Sequence, residues 1–211
     1  MAARTAPYRR LLGRIDGLRI WRVDGHQVRD GLDVEFTNGH HHFTRRYVPL
    51  DEIWLDREPP GSGEWRFWAR HQIVERAEMA AGASYPIALA RANRAERAER
   101  DAAARPARVR RRRLGAVDRR DVWLVDGCAV RTCFHLDFTL GGHGYRYRFI
   151  PRREIWIDDA VAAAERPAIL HHEAVEVELM ARGMHYADAH VRASYEEGCF
   201  RAGRVECRLT P

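Results

Sequence analysis

Two histidines and three glutamates in the C-terminal part of the chain have the types and spacing of a hydrolytic metal site: His172, Glu173, Glu176, His190 and Glu197. If residues 166–199 form two helices parted at Gly183, His172 and Glu176 fall one turn apart on one face, because positions i and i+4 share a face. Ile169, Val175, Leu179 and Met180 lie within about 80° of His172 at the 3.6-residue period, so the pair is expected to point into a core. On the second helix Tyr186, Ala189, His190, Ala193, Glu197 and Phe200 form a stripe that carries another histidine and another glutamate inward. Polar groups placed this way must pair, hydrogen-bond or bind a metal. A hydrolytic metal site needs two or three N or O ligands, a position open to water, and a carboxylate to take that water's proton. His172, Glu176 and His190 are the expected ligands, zinc or another divalent metal the expected ion, and Glu173 the expected base. Glu197 is expected either as a fourth ligand or as a partner that orients His190.

At these residues the chain resembles the zincin-type metallopeptidases, whose helix carries His-Glu-x-x-His after an edge strand and whose third ligand comes from a following helix. Here the motif reads His172-Glu173-Ala174-Val175-Glu176, with a strand expected over Glu154–Ile157 upstream and His190 downstream. Glu176 stands where that family has its second histidine. The resemblance implies a zinc-dependent hydrolase, a peptidase or amidase, with Glu173 as its base.

The elements that must position these groups follow from an internal repeat. Residues 20–56 laid over 122–158 give 16 identities in 37 positions, against about two or three by chance on average composition. They include Trp21/Trp123, Asp24-Gly25/Asp126-Gly127, Phe36/Phe138, His41/His143 and Glu52-Ile53-Trp54/Glu154-Ile155-Trp156. At a shift one residue smaller, 71–96 over 172–197 gives 11 identities in 26, among them His71/His172, Glu75/Glu176, Gly82/Gly183 and Glu96/Glu197. The chain is therefore a tandem duplication.

Each repeat reads as β-hairpins followed by an αα-hairpin. Trp21–Val23 is expected as a strand and Asp24-Gly25 as a turn. Val28–Phe36 and His42–Val48 are expected as strands joined at Asn38-Gly39, a type I′ signal, with Glu52–Asp56 as a further strand. Helices are expected over 64–81 and from Ser84 to about Ala104. The fold class is α+β: two units related by a pseudo-twofold, each a small antiparallel sheet with an αα-hairpin on one face, sharing one core or a large interface. The expected division is 1–104, an Arg-rich linker over 105–115, and 116–211.

The first repeat serves as an internal control. It keeps His71, Glu75, Tyr85 and Glu96, but Gln72 stands at the place of Glu173 and Leu89 at that of His190. A buried His/Glu pair kept for structure accounts for the shared residues. The joint loss of base and third ligand is what a degenerate copy of a catalytic site would show.

Composition narrows the remaining classes. Net charge is +6 over 211 residues, with 36 arginines and no lysine against 30 acidic side chains. The run Arg110–Arg113 is expected as solvated linker, with nucleic-acid contact as its sharper reading. No interleaved aromatics, helix-turn-helix or zinc-finger spacing accompany it. No apolar run reaches the ~20 residues of a membrane span, and a cytoplasmic protein is expected. Cys128, Cys133, Cys199 and Cys207 form no CxxC pair and read as free thiols. The His40-His41-His42 triple is expected at an exposed turn. The alternative to the hydrolase is a non-catalytic duplicated module that binds nucleic acid or a protein partner, with a buried His/Glu pair in each unit.

Overall fold

Each repeat opens on a two-stranded hairpin whose turn forces left-handed backbone. In the first, β1 (Tyr8–Ile15) and β2 (Leu18–Val23) pair antiparallel around Asp16 and Gly17, both with positive φ (48° and 80°). Asp-Gly at that position is the favoured composition of a type I′ turn. The chain continues through α1 (Gly25–Gly31), β3 (Gly39–His41), β4 (Glu52–Leu55), α2 (Trp65–Ala80) and α3 (Tyr85–Ala102). The second repeat follows the same order with β5 (Arg111–Val117), β6 (Arg120–Val125), α4 (Gly127–Cys133), β7 (Gly141–His143), β8 (Glu154–Asp158), α5 (Arg166–Ala181) and α6 (Tyr186–Arg201). This computed structural model describes residues 7–58, 61–103, 109 and 111–204. It divides into one unit of 1–29 with 36–105 and another of 30–35 with 106–211.

The α+β duplication stands, and the sheets are mixed rather than antiparallel. Strand order is β1-β2-β4-β3 and β5-β6-β8-β7, with β2 parallel to β4 and β6 parallel to β8. The central register aligns Trp21 with Trp54 and Trp123 with Trp156. Val28–Phe36 is not a strand, because Asp24 and Asp126 start helices instead. Asp126 accepts a hydrogen bond from the Ala129 amide at 2.9 Å and Asp24 from Gln27 at 3.2 Å, which is N-capping. Gly25 and Gly127 follow because a Cβ there would come within 2.1 to 2.2 Å of the carboxylates of Asp56 and Asp158. Those carboxylates pair with Arg29 and Arg131, both buried. Asn38-Gly39 closes no hairpin: β3 pairs with β4, and 42–48 is a series of turns.

Both faces of each sheet are covered from within its own unit. In the first, Ile20, Ile53 and Leu55 pack on Trp68 and Ala69 of α2, while Val23, Phe36, Val48 and Trp54 fill the other face. In the second, Val122, Ile155 and Ile157 meet Ile169, Leu170 and Val177 of α5, and Val125, Phe138, Ile150 and Trp156 lie opposite. Strands buried on both sides read as continuous apolar runs, as Glu52–Leu55 and Glu154–Asp158 largely do. The helices α1 and α4 and the turns that follow cover the second sheet face of each unit, a role the sequence did not assign to them.

The linker expected over 105–115 lies partly outside the described residues (105–108 and Arg110). Arg111–Arg113 are not linker but the start of β5, where Arg111 pairs with Glu154 and Arg113 with Asp121. Each αα-hairpin turns at a glycine with positive φ, Gly82 (92°) and Gly183 (94°). The amides of Gly183 and Met184 return to the carbonyls of Met180 and Leu179, a C-cap that only glycine enters without strain. No described helix is long and apolar enough to cross a membrane. Cys199 is a buried free thiol, and Cys207 lies outside the described residues.

Candidate metal centre

A chain of buried ionisable groups crosses each unit from the edge strand to the second helix. In the first unit it runs from His41 on β3 to Glu75 on α2 (3.1 Å), then His71 (3.7 Å from Glu75), Glu96 on α3 (2.9 Å from His71) and Arg100 (2.8 Å from Glu96). Arg100 also bonds Glu64 just before α2. The second unit repeats it with His143 on β7, Glu176 and His172 on α5, Glu197 and Arg201 on α6, and Glu165. The corresponding distances are 2.9, 3.5, 3.0, 2.8 and 3.1 Å. His41 and His143 are fully buried, which corrects the expectation of an exposed turn at His40–His42. Burying so many charges is tolerable because each has an opposite partner.

The second unit adds three groups to this chain. His190, one turn into α6, brings Nδ1 to 2.8 Å from Glu176 Oε2 and 3.2 Å from His172 Nε2. Its other nitrogen lies 3.1 Å from Glu35 Oε2, a residue of the 30–35 segment that belongs to this unit. Glu173 is buried beside Glu176 and against Gly141, where a Cβ would come 2.9 Å from Glu173 Oε1. Among the described residues Glu173 accepts no hydrogen bond.

Three ligand atoms therefore converge: His172 Nε2, His190 Nδ1 and Glu176 Oε2, all close enough to share one ion. The remaining atom of each is held from behind. Glu197 holds His172 Nδ1, Glu35 holds His190 Nε2, and His143 holds Glu176 Oε1. This is the outer-shell pattern of metal ligands, in which a carboxylate on the far ring nitrogen fixes orientation and basicity. Glu197 thus stands behind His172, on the opposite side of the ring from the converging atoms.

A second close group, His143, Glu173 and Glu176, is chemically different. The Tyr145 amide donates to His143 Nδ1 at 3.2 Å, so Nε2 carries the ring proton and donates to Glu176. His143 is a positioning partner with no free lone pair. Only its recurrence opposite His41 hinted at this role in the sequence. Glu35, Glu165 and Arg201 were missed as well, although Glu64/Glu165 and Arg100/Arg201 continue the same shift of 101.

Electrostatics follow the contacts. Burial opposes the charged form of His172, yet its bonds to Glu176 and Glu197 raise its pKa to about 10. Hydrogen bonds to Glu176 and Glu35 raise His190 to about 9. Burial works against the Glu176 carboxylate too, but its three histidine partners hold it well below the usual range. Burial, then the neighbouring Glu176, pushes Glu173 up to about 7.

The chain matches no family model, no curated protein and no solved structure.

Proposed function

We propose that the second unit holds one divalent ion of the zinc class through His172, Glu176 and His190 and acts as a metal-dependent hydrolase on an amide or related carbonyl. The observation that carries this reading is the convergence of three ligand atoms whose other atoms are each already held. A bound ion of this class supplies Lewis acidity and lowers the pKa of a water molecule at its open position. The His190 and Glu35 side chains are 34% and 38% exposed, and in this reading solvent enters from that side. Glu173 follows His172 directly, lies beside Glu176 and is the proton acceptor in this reading. The zincin-like order His172-Glu173-x-x-Glu176 agrees with that assignment. Glu173→Gln should keep zinc and lose hydrolysis of a chromogenic ester or anilide, while His190→Ala should lose both. A Glu173→Gln variant with full activity would exclude the base, and a wild type that takes up no zinc would exclude the site.

The second reading is a non-catalytic duplicated module, favoured by the recurrence of the six-residue buried chain in the first unit. It accounts for His172, Glu176 and Glu197 but gives His190 and Glu173 no task. Contact with nucleic acid through Arg110–Arg113 has less behind it, since Arg111 and Arg113 are already paired with carboxylates.

A further inference from the structure

Arg146, in the loop between β7 and β8, is a half-buried cation that no carboxylate pairs among the described residues. Its Nε is buried without a hydrogen-bond acceptor. The guanidinium lies 4.9 Å from the centre of the Tyr147 ring and 4.5 Å from that of Tyr186, the Tyr186 hydroxyl is a hydrogen-bond partner, and the Asp137 carboxylate adds a favourable charge at longer range. Tyr186, the first residue of α6, also stacks on His190, with ring centres 5.4 Å apart and planes 27° from parallel. One tyrosine thus ties the guanidinium to a ligand of the metal centre.

This arrangement fixes a guanidinium in place with one tyrosine hydroxyl and no carboxylate within ion-pair distance, fewer acceptors than its N–H donors. Ring faces attract the cation but do not satisfy its N–H fork, which matches the paired oxygens of a carboxylate or phosphate. The first unit lacks the device. Thr44 stands at the place of Arg146, and Arg45 at that of Tyr147. The same unit has Leu89 for His190 and Gln72 for Glu173. The arginine is absent from the unit that lacks the third ligand and the carboxylate beside it.

We propose that Arg146 is the recognition residue for an anionic group, a carboxylate or a phosphate, on the substrate handled at His172, Glu176 and His190. The assignment rests on the metal-centre reading and adds to it the charge of the substrate. Tyr147 and Tyr186 are positioning residues that set the plane of the guanidinium.

Calorimetric titration of the full chain, with and without zinc, with inorganic phosphate and separately with acetate, tests it. The wild type should bind at least one anion, and which one distinguishes the phosphate from the carboxylate class. Arg146→Met should weaken that binding roughly 10- to 100-fold, the worth of a charge-assisted hydrogen bond, and Arg146→Lys should restore part of it. Zinc uptake by Arg146→Met should equal that of the wild type, which shows that the variant is folded at the site. No binding of either anion by the wild type, or equal binding by Arg146→Met, overturns the proposal whatever the zinc result. Failure of the wild type to take up zinc overturns the metal reading instead.

Discussion

His172 Nε2 and His190 Nδ1 face each other at 3.2 Å, one from each helix of the second αα-hairpin. Two ring nitrogens at that distance share a proton, share the Glu176 carboxylate, or share an ion. In the first unit the question does not arise, since Leu89 takes the sequence position of His190. The difference between the units therefore reduces to a few side chains on one scaffold, and each can be exchanged.

The clearest structural prediction concerns the buried pair Arg131–Asp158. Arg131 is fully buried and also donates to the Phe138 carbonyl at 2.9 Å. Arg131→Met would take the guanidinium away from the buried Asp158 carboxyl and leave it only its backbone donors, such as the Ala160 amide at 2.9 Å, at a cost of about 3–5 kcal/mol. Urea denaturation should register that loss in the second unit. A midpoint unchanged from wild type would mean that the pair contributes nothing.

Alkaline pH should weaken the first unit through His71. Burial opposes its charged form, but Glu75 and Glu96 raise its pKa to about 9 from an ordinary 6.5. A raised folded-state pKa means that the stabilisation is complete below about 6.5 and is lost as pH rises through about 9. Glu75 is displaced the other way: burial opposes its carboxylate, yet His41 and His71 lower its pKa, so its share fades in acid. Urea midpoints between pH 6.5 and 9.5 should fall more steeply for the wild type than for His71→Gln. Parallel curves would remove His71 as the cause.

Gly141 leaves room for Glu173. A Cβ at that position would lie 2.9 Å from Glu173 Oε1 and 3.1 Å from its Cγ, so the side chain would have to move. Gly141→Ala should therefore mimic Glu173→Gln in activity while binding zinc normally, at a stability cost of about 1–3 kcal/mol. Full hydrolysis by a folded Gly141→Ala protein would show that the carboxylate's position does not matter.

The helical half of each unit was legible in the sequence and the sheet half was not, for identifiable reasons. Apolar spacing, Ser84, Gly82 and Gly183 marked the helix ends, because amphipathic faces and glycine C-caps act locally. Asn38-Gly39 misled because a type I′ signal states what a turn permits, whereas the pairing of β3 with β4 is decided by contacts distant in sequence. The true hairpin turn carried its own Asp16-Gly17 signal. The repeat extends back to it through Arg9/Arg111, Arg10/Arg112, Leu12/Leu114 and Gly13/Gly115, matches that the reading of 105–115 as a linker passed over. At the centre, His172, Glu176 and Glu197 were visible from helical periodicity. His143 and Glu35 were not, since they reach Glu176 and His190 from 33 and 155 residues away.

Exchange of His190 for its counterpart bears on the central claim most directly. His190→Leu gives the second unit the residue the first already folds with, so loss of zinc would not be loss of fold. Elemental analysis after zinc loading and gel filtration should find one zinc per wild-type chain and none in His190→Leu. The wild type should also melt higher with zinc, by the equivalent of about 2.7 kcal/mol at a hundredfold excess over Kd. A wild type that emerges zinc-free and melts at the same temperature with and without the metal would contradict the account, leaving a buried His/Glu network in both units.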